Sequence, residues 1–515
     1  MYGKDRLTAG AALALSRGQR QGLLDADTRA RVRACASQVT ALAGGGDAVY
    51  GINTGFGPLC STRISAADTG LLQHNLLRSH SVGVGPPIPP ETARLMLVLK
   101  LHALAQGYSG IGEAVLDRIA WHIAQDIVPL VPSQGSVGAS GDLAPLAHLF
   151  LPLIGEGQVY HRGQVVPAAV MLQQAQLPPL VLGPKEGLAL INGTQFIAAH
   201  AVQVVERLHG CLSQADLIAA LMIEGLLGSA APFRAELHAL RPFPGNQHVA
   251  ARIAALLGGS EIIASHAGCD RVQDPYSLRC VPQVHGASRA AWLHLRDLLD
   301  IELNAVTDNP VILDTGEVVS GGHFHGQPLA LALDYACLAA AELGNISDRR
   351  SYLSLTGVGG LPRLLMQHTG INSGFMILQY TTAALASENK SLCFPASADS
   401  IPTSLGQEDH VSMGSISGRK ALQVCGHVEQ ILAIELLCAA QALDFRRPLH
   451  AHPLLETLHA HLRSEVPHAA EDRLFAPDIQ TAIRLVQSHT LLSLTQRHAQ
   501  RNDLCTPYDE LFEVY

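Results

Sequence analysis

The chain has 515 residues, 48% of them hydrophobic and only 15% charged, where soluble chains carry about 25% charged residues. At about 150 residues per domain this length predicts two to four domain-sized units, and the apolar content excludes intrinsic disorder. The 44 acidic residues exceed the 35 Lys and Arg, leaving a net charge of −9 with no basic block, which argues against a nucleic-acid partner because phosphate neutralisation needs a basic footprint.

The N-terminal segment carries Lys4, Asp5 and Arg6 and then a short Ala/Leu run without a secretory cleavage context. Pro89 and Pro90 precede a run with apolar residues at Leu95, Leu97, Val98, Leu101 and Leu104 that stops at Gly107. Proline at the start and glycine past the end predict a helix there. Gln158–Tyr160 with Gln164–Val166, and Val311–Leu313 with Glu317–Val319, read as small hairpins. Between them a boundary falls near residues 190–200. Residues 428–443 are apolar nearly all round, with only Glu429 and Glu435 charged; such a helix belongs at the centre of a bundle or in a subunit interface. The fold class is mainly α. The long uncharged stretches 163–184 and 364–387 are broken by prolines or dotted with polar residues, so no membrane span is expected.

Ten cysteines, from Cys35 to Cys505, lie scattered without a C-x-x-C and read as reduced, mostly buried thiols of a cytoplasmic protein. Among 25 histidines, His323, His325 and the cluster His450, His452, His459, His461 and His468 lack a second ligand pair at zinc-site spacing. No metal is expected, and the C-terminal cluster reads as a solvated helical face. Nucleotide-binding motifs and a G-x-S-x-G elbow are absent. Glycine-rich segments at 51–57, 135–141, 321–326 and 357–360 predict a site assembled from distant loops.

The most informative of these runs Gly135-Ser136-Val137-Gly138-Ala139-Ser140-Gly141-Asp142-Leu143-Ala144-Pro145-Leu146. As structure alone it is a tight turn that opens a helix, with Asp142 favourable in the first turn. The full string resembles the Ala-Ser-Gly segment of the aromatic amino-acid ammonia-lyases. That resemblance implies that Ala139, Ser140 and Gly141 cyclise without help into 4-methylideneimidazol-5-one (MIO), an electrophile needing no external cofactor. The residue types fit: the Gly141 nitrogen must reach the Ala139 carbonyl carbon, an approach that a side chain would obstruct. Ser140 then loses its hydroxyl as water.

Separate motifs extend the resemblance along most of the chain. Residues 50–57 (YGINTGFG) are similar to the family's catalytic-tyrosine loop, which makes Tyr50 the base for the substrate β-proton, with a phenol pKa pulled down by its surroundings. Asn192-Gly193-Thr194 implies that Asn192 holds the electrophile's oxygen or the substrate amine. Residues 273–279 (QDPYSLR) bring Gln273, Tyr276 and Arg279 into the site, Arg279 as the bidentate partner of a carboxylate. Asn304–Pro310 and Phe324 follow the same pattern. The pair Ser79-His80 and the segment from Gln407 to Met413 resemble the histidine-specific members, with His80 and Glu408 supplying the hydrogen bonds an imidazole needs and Gln407 beside them. A carboxylate buried against a phenyl ring would lack a partner. Two departures stand near the site: His323 where the family usually has Asn, and Gly406 where it has Asn before Q-E-D-H.

The resemblance implies a long central helical bundle (196–515) behind an N-terminal domain (1–195) that carries the tripeptide and the tyrosine loop. It implies a homotetramer whose sites draw loops from different subunits, acting on a small amino acid. The expected reaction is non-hydrolytic loss of ammonia from L-histidine to give trans-urocanate. A tyrosine or phenylalanine lyase, or an aromatic 2,3-aminomutase, is the alternative.

Overall fold

A computed structural model describes residues 1–45, 47–65, 67–502, 504, 507 and 509–515. In chain order the helices that matter for the site are α1 (Thr69–His80), α2 (Pro90–Leu104), α3 (Leu143–Phe150), α4 (Gln195–Gly225), α5 (Val281–Glu302), α6 (Gln327–Ser354), α7 (Met376–Leu392) and α8 (Gly414–Asp444). The expected helix after Pro89 is α2, with Pro90 in its first turn and Gly107 beyond its end at φ +88°. A lone glycine there accepts the left-handed backbone that stops the helix.

Helices α4, α6 and α8 pack on one another, flanked by α5 and α7, and form the body of the molecule. Their burial follows from composition. From Val428 to Leu443 nothing of α8 is exposed, and its two charges are both neutralised: Glu435 by Arg350 of α6, with the second bond at 2.9 Å, and Glu429 by Arg207 of α4 at 2.5 Å. Helices α6 and α8 are each long and apolar enough to cross a membrane by length and composition, although 72% of each apolar window is buried inside the protein. Residues 428–443 of α8 lie at the bundle centre as their all-round apolar pattern predicts, and a bundle core of this kind tolerates scattered small polar residues. One hydrophobic core runs from Tyr2 to Ala499, through both sides of residue 195.

Both expected hairpins form, Gln158–His161 with Gln164–Pro167 and Val311–Ile312 with Val318–Val319. The structure adds Val128–Pro129 as a third strand beside the first hairpin, and pairs Val84–Pro87 with Pro132–Gln134. These proline-bearing pieces of two to four residues carry no alternation from which to read a strand. The nine cysteines among the described residues are free thiols, five of them buried; Cys505 lies outside the described residues. The C-terminal histidines depart from the solvated-face reading. His452 and His459 are buried, and Asp444 accepts from His459 at 2.6 Å and from His468 at 2.7 Å, so the end of α8 draws part of the cluster inward while His450 and His468 stay exposed.

Candidate active site

The tripeptide lies where three helices begin. Asp142 ends the glycine-rich turn and α3 starts after it. Its carboxylate caps α4 rather than α3, accepting from the backbone N–H groups of Phe196 (3.1 Å) and Ile197 (2.9 Å) and from Ser136 Oγ (3.1 Å). Burial pushes Asp142 up to about 7, while those donors hold it down. On the other side the start of α8 and the residue before it clasp the turn. Met413 N–H donates to Val137 O at 3.0 Å, and Ser415 Oγ to Ser136 O at 2.6 Å. Helix N-termini carry partial positive charge, so the turn sits in a positive field.

The chain passes this point only as glycine. Gly141 has φ +75°, and a Cβ on it would stand 2.1 Å from the Gly193 carbonyl oxygen. Gly138 has φ +70°, and a Cβ there would meet Ser412 Oγ at 2.2 Å. The close approach is a backbone pairing: Asp142 N–H donates to Gly193 O at 2.7 Å, and Gly193 N–H donates to Ser140 O at 3.3 Å. Ser140 O is thus met by Gly193 rather than by the Asn192 side chain. Asn192 turns its Nδ2 to Asn309 O at 3.0 Å, and its Oδ1 is buried without a partner. A crowded, glycine-only turn with an unpartnered buried amide oxygen nearby suits a cyclised tripeptide and an amine held beside it.

Glu408 comes from far along the sequence to the same place. Its Oε1 accepts from Ser140 Oγ at 2.9 Å, and its Oε2 accepts from Thr403 Oγ1 at 3.0 Å and Ser404 Oγ at 2.8 Å. Three hydroxyls fix this carboxylate, and two of them belong to residues given no role from sequence; the only available signal was the Pro402-Thr403-Ser404 string. The 57–59 turn of the tyrosine loop packs on the turn at 404–406, which brings Tyr50 alongside. Tyr50 Oη accepts a weak bond from Gly57 N–H at 3.4 Å. Its phenol is not pulled down: burial raises it above the ordinary tyrosine value, and the Cys60 and Glu408 charges add to the rise. Among the described residues no cation opposes them. His80, at the end of α1, has Nδ1 3.0 Å from Ser79 Oγ. Burial lowers its pKa against the pull of Glu408, leaving a neutral ring at neutral pH.

Phe324 is half-buried and Gln407 exposed. Beside them His325 stacks on His410 with ring centres 5.4 Å apart. Gly406 has φ +87° with open space around it. Asparagine and glycine are the residues that enter this backbone region at least cost, so this departure preserves the turn. His323 is exposed.

Gln273, Tyr276 and Arg279 are not brought to this cluster. Gln273 and Arg279 border a cavity of about 380 Å³ near the ends of α5 and α6, where Arg279 Nε donates to Asp274 O at 3.0 Å and its guanidinium lies 4.5 Å from the centre of the Tyr276 ring. Tyr276 is 70% exposed, and no hydrogen bond or ion pair among the described residues joins this segment to Tyr50, Ser140 or Glu408.

A family model described as aromatic amino acid lyase matches residues 7–464. The chain belongs to the aromatic amino acid lyase family. This lyase is 49% identical to the histidine ammonia-lyase of Sorangium cellulosum over 94% of its length and 96% of the relative's, and 50% identical to that of an Anaeromyxobacter strain over 94% and 97%. Among solved structures it superposes on histidine ammonia-lyase from Trypanosoma cruzi with a TM-score of 0.89, 40% identity and 98% and 95% coverage of the two chains. It superposes equally well on a tyrosine aminomutase from Streptomyces globisporus, with a TM-score of 0.91, 35% identity and 96% and 97% coverage. The mainly α bundle is therefore the family's fold.

Proposed function

We propose that this lyase eliminates ammonia from L-histidine without hydrolysis, leaving trans-urocanate. The observation that carries the reading is Glu408: a carboxylate pinned by Thr403 and Ser404, reaching the tripeptide at Ser140 and close enough to His80 to act on its titration. A carboxylate and a neutral imidazole on one wall supply an acceptor and a donor for the two ring nitrogens of histidine. They would leave a phenyl ring facing a buried charge. The histidine ammonia-lyases at about half identity support the same substrate.

The cyclised Ala139-Ser140-Gly141 group supplies an electrophile that converts a poor leaving group into a better one. The chain's own residues do the rest. Tyr50 Oη takes the β-proton, Asn192 Oδ1 accepts from the substrate amine, and Arg279 pairs with the substrate carboxylate. Phe324 and Gln407 border the ring, and Tyr276 and Gln273 enter with Arg279. Since that segment does not reach Ser140 within one chain, a neighbouring subunit brings it, and the working enzyme is a homotetramer with shared sites. Its free thiols suit a reducing compartment, and we place it in the cytoplasm.

The test is ammonia release and ultraviolet absorbance on L-histidine, L-tyrosine and L-phenylalanine, each supplied separately. Urocanate from histidine alone is expected. Product from tyrosine or phenylalanine, or a β-amino acid in place of ammonia, overturns the substrate assignment and moves attention to His323 and Gly406.

A further inference from the structure

Lys100 lies in the middle of α2 and is 2% exposed. It forms no ion pair among the described residues, although Asp308 is near, because Lys185 occupies Asp308 at 2.6 Å. Its ammonium group instead donates to the main-chain carbonyl of Asn192, with Gln195 Oε1 farther off at 3.5 Å. A buried lysine spent on one peptide carbonyl is costly unless that peptide matters.

The peptide is the one that touches the tripeptide. The Asn192 carbonyl and the Gly193 N–H belong to a single amide, and that N–H donates to Ser140 O at 3.3 Å. Donation to an amide's oxygen polarises it and strengthens donation from its nitrogen, so hydrogen bonds in series reinforce one another. The series reads Lys100 Nζ, the Asn192–Gly193 amide, the Ser140 carbonyl. Resting on the cyclisation assumed above, we infer that Lys100 is a positioning residue for maturation: through the Asn192–Gly193 amide it polarises the Ser140 carbonyl while the tripeptide closes.

The chemistry explains why that carbonyl is the useful target. The Gly141 nitrogen bonds to the Ala139 carbonyl carbon, whose oxygen leaves as water with the two amide hydrogens of Ser140 and Gly141. The Ser140 hydroxyl then leaves as a second water with the hydrogen on Cα. That hydrogen is adjacent to the Ser140 carbonyl, and a donor on the carbonyl oxygen stabilises the charge that builds there as it departs. Burial brings the Lys100 amine down to about 7, with Lys185 lowering it and Asp308 and Asp142 raising it. In either protonation state it keeps N–H groups to donate.

The measurement is a time course of full-length protein made by cell-free synthesis, following the peptide that spans residues 139–141 for the loss of two waters. Lys100→Met fills a similar volume without a donor, and Lys100→Arg restores one. Thermal melts of both, also in a Ser140→Ala background that cannot mature, report folding separately. The Met variant is expected to melt like its parent yet mature roughly tenfold more slowly or worse, the scale of one lost charge-assisted hydrogen bond, with Arg recovering most of the rate. Maturation of the Met variant at the parental rate overturns the inference, as does an Arg variant that melts normally and matures no faster than Met. Should the Met variant not fold, Lys100→Leu, which also lacks a donor, takes its place with the same readings. A parental chain that never loses the two waters removes the assumed cyclisation, and the relay with it.

Discussion

Glu408 decides more than any other single side chain. Its two oxygens are shared among Ser140, Thr403 and Ser404, so Glu408→Gln keeps the shape and loses the charge. Turnover of histidine by that variant is expected to fall by roughly ten- to a hundredfold, as one or two charge-assisted bonds are weakened. Any residual turnover of tyrosine or phenylalanine should fall much less; equal losses would mean that Glu408 does not bind the ring. Gly141 is the next most constrained. An alanine there meets the Gly193 carbonyl at 2.1 Å in a left-handed backbone, and the Gly141→Ala protein is expected to show no loss of water from the tripeptide by mass. Tyr50 reverses its expected direction. Burial and neighbouring negative charge raise its pKa, so in this environment the phenolate grows only as pH climbs beyond the ordinary tyrosine value of about 10. Rate measured against pH is expected to rise toward the alkaline side, and a rate that declines from neutrality upward would remove Tyr50 as the base.

At the scale of elements, helices α2 and α8 and both hairpins were readable because their signals are local: a proline and a glycine around a 3.6-residue period, or two short apolar runs about a turn. The short proline-bearing strands were not, since only the partner strand makes them strands. Asp142 shows the same limit, standing in sequence at the start of α3 and in space at the start of α4. The bundle's own fixings are equally non-local. Arg350 of α6 and Glu435 of α8 are both fully buried and joined by two hydrogen bonds, with Ser347 donating to the same carboxylate. Arg350→Met strands the Glu435 charge, and chemical denaturation should register a loss of about 3–5 kcal/mol, the range for breaking one side of a buried pair. Replacing both residues by apolar ones of similar volume should recover much of that.

For the whole molecule, one chain presents two incomplete halves: Ser140 bonded to Glu408 with the Tyr50 loop packed beside them, and Gln273, Tyr276 and Arg279 elsewhere on the surface. If neighbouring subunits join the halves, a Ser140→Ala chain and an Arg279→Ala chain, each inactive alone, should regain activity when dissociated and reassembled together. Hybrids in which intact halves meet carry it, and mixtures that stay inactive while forming hybrid oligomers would refute the shared site.

The sequence by itself determined the chemistry on offer. Ala-Ser-Gly flanked by glycines, a tyrosine in a glycine loop and the Q-E-D-H run each name residue types whose reactivity belongs to the side chain or to its immediate neighbours. Tertiary structure decided which of them act together and in what charge state. Ser140 and Glu408 meet across 268 positions, Lys100 has no motif and gains its meaning from the amide it touches, and the phenol of Tyr50 answers to burial. Periodicity and local spacing encode which face of an element is apolar. Contact, desolvation and field depend on residues that only the fold brings near.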